Sequence, residues 1–302
     1  MFAGNVLASI DLSGMLNISG DANVNNVSIS YDATAGAYVA SGVNTTITGG
    51  TSAVNANTLA ARAGGTVFNG GININLGGGN DVAVISGNSA NTAANLVGGL
   101  AIDTGIGNDS VTIDNITVGG DITLIGGVGN DRLTLTNATA GGNVSVSGGA
   151  GNDTIVVSSL NASGTAGVSI DAGADDDSIS VNNATAVAGA VTINAGVGHD
   201  QVTAASVNAT GALTINASTS AKKDDDRFSL DTATAASLLV NVFGKGRQTV
   251  TVSNTTVGSA TAAGSATISV LGSGRANVSL SNLNVNASST AAGSVVVNLG
   301  ND

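Results

Sequence analysis

The sequence predicts an all-β protein, a right-handed parallel β-helix or β-solenoid. Three observations predict it: a composition without helix-surface residues, a repeat that returns every two dozen positions or so, and apolar alternation with period two inside each repeat. The 302 residues include 44 Gly, no Pro, no Cys, no Trp and six aromatics, and all 20 acids are Asp. With Glu absent and Lys confined to Lys222, Lys223 and Lys245, the usual coating of exposed helices is missing. A 42% hydrophobic content argues against disorder, as do charges that fall at fixed places in the repeat. A net charge of −12 with eight basic residues speaks against nucleic acid and for cations as partners. No apolar run reaches the length of a membrane span, and the first residues show neither the basic nor the apolar region of a signal peptide. The lack of Cys excludes disulfides and thiolate metal sites.

The repeat is clearest when segments are aligned on one acid. Gly79-Asn80-Asp81, Gly107-Asn108-Asp109, Gly129-Asn130-Asp131, Gly151-Asn152-Asp153, Asp175-Asp176-Asp177, Gly198-His199-Asp200 and Asp224-Asp225-Asp226 form one series. Its members follow one another at intervals of roughly 22 to 28 residues, within the range of solenoid repeats. Gly246-Arg247-Gln248 and Gly274-Arg275-Ala276 keep the frame without the acid. Apolar residues recur two and four places after the aligned position, as in Val111 and Ile113 or Leu133 and Leu135, which is the period of a strand with one buried face. A second alternating pair precedes the turn, as in Ile122 and Leu124, and a weaker third follows, as in Ile116 and Val118. Each unit therefore reads as three short strands. A unit this small cannot bury its own apolar face, so units must stack, and about 12 coils are expected over the chain.

Six places after the aligned position stand Asn115, Asn137, Ser159, Asn183, Ser206, Thr232, Asn254 and Asn282. These are read as a polar ladder at a sharp corner, because Asn tolerates left-handed backbone and can bond from coil to coil. The whole chain is read as one solenoid domain. Residues 1–69 are degenerate coils, 70–237 carry the acidic turns, and 238–302 mostly lack them.

Stacking would place Asp81, Asp109, Asp131, Asp153, Asp177, Asp200 and Asp226 in a column about 4.8 Å apart, where like charges repel. Bound cations would compensate, and Ca²⁺ suits carboxylates combined with backbone carbonyls. Where the acids end, Lys245, Arg247 and Arg275 appear. Gly126-Gly127-Val128-Gly129-Asn130-Asp131-Arg132-Leu133-Thr134 and Gly148-Gly149-Ala150-Gly151-Asn152-Asp153-Thr154-Ile155-Val156 resemble the nonapeptide of repeats-in-toxin (hemolysin-type) proteins. That resemblance implies secretion and Ca²⁺ held by the seven aspartates and turn carbonyls. It is closest at Asp81, Asp109, Asp131 and Asp153, partial at Asp177 and Asp200, and loose at Asp226. That family sets two motifs in tandem in each coil. One motif per longer coil, as here, is similar to pectate-lyase-like β-helices and to bacterial surface adhesin passengers.

Catalysis is not expected. The compact charged cluster Lys222-Lys223-Asp224-Asp225-Asp226-Arg227 reads as a solvated insertion, and aromatic platforms for sugar are scarce. His199 replaces a turn Asn. The expected function is a secreted or cell-surface structural or adhesive element, with surface polysaccharide as a possible partner. The alternative is a polysaccharide-binding or polysaccharide-cleaving β-helix with a groove lined by Lys223, Asp224 and Asp225. The ending Leu299-Gly300-Asn301-Asp302 is expected to leave an open edge. A strand of another copy around Val6 to Leu12 would complete it, giving a homo-oligomer or a head-to-tail filament.

Overall fold

The computed structural model describes residues 4–11, 14–32, 37–42, 46–48, 53–55, 58–60, 70–88, 95–219, 225–259, 262–271, 274–287 and 292–300. Lys222, Lys223, Asp224 and Asp302 lie outside this set. All regular elements within it are strands, gathered into one sheet of 13 strands and one of 14.

One coil shows how the sequence produces the fold. Ile122–Val128 lies in the first sheet, and the turn at Gly129-Asn130 sends the chain into Arg132–Ala140 in the second. Gly141 and Gly142 then return it to Val144–Ala150, which pairs in parallel with Ile122–Val128 in the register Ile122↔Val144 and Leu124↔Val146. The register keeps like on like. Ile122, Leu124, Leu133, Leu135, Ala138 and Ala140 face inward, and they and their partners one coil later are at most 2% exposed. Burying each Leu or Ile contributes about 1.5–3 kcal/mol, so every added coil is stabilised by its neighbours' apolar rows.

Three short strands per coil become two. In the coil of Arg132–Ala140 the second and third segments form one strand bent at Asn137, whose φ is 50°. They are separate in the preceding coil, as Ser110–Asp114 and Thr117–Val118, and in the one before it, where Leu96 bridges to Val118 apart from Val82–Ser86. Eight coils follow one another between Leu100 and Val285, preceded by Gly71–Asn75 with Val82–Ser86 and by Met15–Ser19 with Asn26–Asp32 on the same rows. The number is below twelve because part of the segment before Gly71 pairs antiparallel. Asn26–Asp32 pairs antiparallel with Ala37–Gly42, and Asn5–Ile10 with Met15–Ser19. Asn5–Ile10 also pairs in parallel with Thr46–Thr48, so this strand, expected to offer a free edge, is covered on both sides.

The final coil differs from the others. Val295, Val297 and Leu299 stand over Ala266, Ile268 and Val270 in the core rows, yet are 50%, 42% and 55% exposed, because nothing among the described residues stacks on them. No helix of the described residues is long and apolar enough to cross a membrane.

Candidate functional site: the aspartate column

The residue before each outward-facing start of the second strand must face inward, by strand alternation. That residue is the aligned aspartate. Asp81, Asp109, Asp131, Asp153, Asp177, Asp200 and Asp226 are therefore buried, none more than 4% exposed. The structure brings all seven together in one column.

Each carboxylate is tied to the coil before it. The backbone N–H of Asp81 donates to Asp109 Oδ1 at 2.6 Å, Asp109 to Asp131 and Asp131 to Asp153 at 2.7 Å each, Asp153 to Asp177 at 2.7 Å, Asp177 to Asp200 at 2.9 Å, and Asp200 to Asp226 at 3.1 Å. A second ladder runs beside it in the opposite sense. Asn130 N–H donates to Asn108 Oδ1 and Asn152 N–H to Asn130 Oδ1, both at 2.7 Å, and the row continues through Asp176 to His199. These bonds saturate turn amides that a sharp corner would otherwise leave unpaired.

Sequence reasoning missed the first member. Asn25 is fully buried and stands one coil before Asp81, whose Oδ1 accepts from its N–H at 2.7 Å. The chain separation of 56 residues hid it, although Val27 and Ile29 keep the spacing of two and four. At the other end Gln248 occupies the column, and its N–H donates to the Arg275 carbonyl at 2.7 Å because Ala276 offers no carboxylate. Also unanticipated is an outward Asn row in the first sheet, where Asn216 Nδ2 donates to Asn194 Oδ1 at 2.7 Å and Asn241 Nδ2 to Asn216 Oδ1 at 2.9 Å.

The second oxygen of each acid has a different environment. Oδ2 of Asp81, Asp131, Asp153 and Asp177 is buried without a hydrogen-bond partner, while the Thr104 side chain stands beside the Asp109 carboxyl. This oxygen points at the inner wall of the coil. A Cβ placed on Gly126 would come 2.6 Å from Asp131 Oδ2 and 2.7 Å from the Gly148 carbonyl, so this coil needs glycine there, whereas Thr104 and Ala172 hold the equivalent place beside Asp109 and Asp177. Burial pushes Asp81 up to about 7, Asp131 and Asp153 to about 6 and Asp177 to about 8, against the opposing pull of the N–H each accepts. Asp109 is raised for the same reason.

Calcium needs six to eight oxygens at about 2.3–2.6 Å. Around Asp131 the column offers one Oδ2 and one carbonyl facing the same spot, with Oδ1 already accepting an amide and Gly126 closing the inner side. Among the described residues no group of three or more His, Cys, Asp or Glu is placed to hold a metal ion. The donor set in this arrangement does not fit Ca²⁺.

The predicted corner ladder occupies the outside. Asn115, Asn137, Ser159, Asn183, Ser206, Thr232, Asn254 and Asn282 all have φ between 48° and 59°. Several of their side chains bond outside the row. Asn137 Nδ2 and Thr136 Oγ1 both donate to Asp114 Oδ1 at 2.8 Å, and Asn254 Nδ2 and Ser253 Oγ repeat the arrangement on Asp231 Oδ1 at 2.8 and 2.6 Å. A side-chain link within the row joins Asn282 Nδ2 to Asn254 Oδ1 at 2.8 Å. Asp225 accepts the Arg247 N–H, tying the edge of the charged loop to the next coil.

No family model, curated protein or solved structure matches the chain.

Proposed function

We propose that this chain is a structural solenoid of the secreted or cell-surface kind, wound right-handed, that extends by end-to-end association of copies. The observation that carries this reading is the contrast between its interior coils and its last one. Interior core rows are closed to water, whereas the last coil leaves Val295, Val297 and Leu299 about half exposed at the edge of its sheet.

Charge favours the opposite end of a second copy as the occupant of that edge. Residues 232–302 hold Lys245, Arg247 and Arg275 and one acid, Asp302, net +2, while residues 1–231 hold 19 Asp and five basic residues, net −14. Two last coils face to face would bring cations together. Last coil to the opposite end, where Thr46–Thr48 and Ala53–Asn55 are the outermost strands of the two sheets, brings cations toward the acid-rich part of the chain. Such a contact is heterologous and continues copy after copy. The exterior, which includes Thr and Ser rows such as Thr123, Ser145, Ser169 and Thr192, suits a solvated rod or an adhesive surface.

Sedimentation of the 302-residue chain over a range of concentrations tests this. Mass should grow without stopping at a dimer, and salt should weaken the association. Val297→Lys, which sets a charge in the terminal core row, should hold the chain monomeric. A monomer at every concentration and low salt, or growth that ends at a dimer, would overturn the end-to-end reading.

A further inference from the structure

The column contains its own comparison between an amide and an acid. Asn25 and Asp131 hold equivalent places, and each takes part in the same backbone ladder. In the Asn25 coil, Nδ2 donates to the carbonyl of Leu76 in the following coil at 3.1 Å. In the Asp131 coil, Oδ2 occupies the place of that Nδ2 and faces the carbonyl of Gly148. The Asp153 coil repeats it, with Oδ2 facing the Ala172 carbonyl. Where the chain has Thr104 instead of a glycine, its hydroxyl donates to the corresponding carbonyl, that of Gly126, at 2.8 Å. The carbonyl row therefore takes a hydrogen from the preceding coil at Asn25 and at Thr104. A carboxylate oxygen facing a carbonyl has none to give, and two buried acceptors facing each other are unfavourable.

We propose that the column is a ladder of neutral carboxylic acids, in which Oδ1 accepts the amide of the preceding coil and the Oδ2 proton is donated to a carbonyl of the following coil. Aspartic acid then acts here as a shape-equivalent of Asn. The charged groups acting on the column are themselves acids: adjacent members on either side, Asp175 beside Asp153 and Asp177, and Asp21 beside Asp81. Among the described residues no cation helps to hold Asp81, Asp153 or Asp177 ionised, and their raised proton affinity follows from burial first and from these acids second. The column that resembles a calcium spine is thus a proton-binding site, and unlike a row of Asn it can be discharged by raising the pH.

Carbon NMR of the Asp carboxyl groups, followed from acid to alkaline pH, tests this in the intact chain. Asp131, Asp153 and Asp177 should change shift between about 6 and 8 and should be insensitive to millimolar Ca²⁺. Asp153→Asn keeps Oδ1 and supplies an N–H for the Ala172 carbonyl. It should melt within roughly 2 °C of the parent in mild acid and above it in mild alkali. Carboxyls that titrate near 4, or a melting temperature raised by Ca²⁺ together with a loss on Asp153→Asn, would overturn the proposal. If the variant fails to fold, the titration of the parent chain decides alone.

Discussion

The backbone N–H of Asp131 donates to Asp153 Oδ1 across 2.7 Å, from one coil to the next and 22 residues along the chain. Water offers no substitute, because both groups are buried, and the carbonyl that replaces the acid at Gln248, that of Arg275, comes into reach only where Ala276 lets the coils settle differently. Asp153→Ala therefore leaves the Asp131 amide unpaired in the interior, which costs about 1–3 kcal/mol. Denaturant unfolding should show the midpoint falling with little change in slope. An unchanged midpoint would mean that the turn relaxes to reach solvent.

Stability should depend on pH in the direction opposite to that of most acidic proteins. The column acids bind protons more tightly folded than unfolded, with folded values of about 6 to 8 at Asp131, Asp153, Asp81 and Asp177. Their contribution is fully present below the unfolded value near 4 and is lost as the pH rises through the folded values. Asp21 and Asp231 are shifted down by hydrogen bonds they accept, and act in the other sense only at low pH. Thermal melts without metal should peak in mild acid and fall toward about pH 8. A melting temperature that climbs over this interval would indicate carboxylates stabilised in their charged form, as a bound cation would do.

The stacked-coil architecture was legible in the sequence because the same parity that buries Leu133 and Leu135 recurs in every unit and leaves little choice of fold. The corner at Asn137 was legible for a similar reason, since few side chains tolerate its backbone. The burial of the acids was not. A Gly-Asn-Asp turn reads alike whether Asp faces solvent or the interior, as Asp131 does. The difference lies in one step of strand alternation. The antiparallel pairing of Asn26–Asp32 with Ala37–Gly42 also escaped notice, because alternation marks strands without giving their direction.

Asn137 offers a test of the corner that separates backbone from side chain. Its φ of 50° costs most residues about 1–2 kcal/mol, and its Nδ2 donates to Asp114. Asn137→Gly should lose the exposed side-chain bond and some chain entropy, about 1 kcal/mol together, while Asn137→Ala should lose the bond and incur the backbone strain, about 0.5–1 kcal/mol more than Gly. Equal losses for Gly and Ala, measured by urea unfolding, would show that the Asp114 bond and not the corner sets the residue.

Asp175 is the inverse case, a residue less suited to its place than the one found elsewhere in the row. Gly129, Gly151 and Gly198 occupy the equivalent position with φ of 134°, 115° and 153°, while Asp175 is held at 80°. It also adds a negative charge beside Asp153 and Asp177, whose protons it helps retain. Asp175→Gly removes the strained left-handed side chain and the repulsion together, against the greater chain entropy that glycine releases on unfolding. The net expectation is a gain of about 0.5–1 kcal/mol, larger in mild alkali than in mild acid because the repulsion matters only when the neighbours are ionised. A loss of stability at both pH values would mean that the Asp175 side chain is held by a contact worth more than its strain.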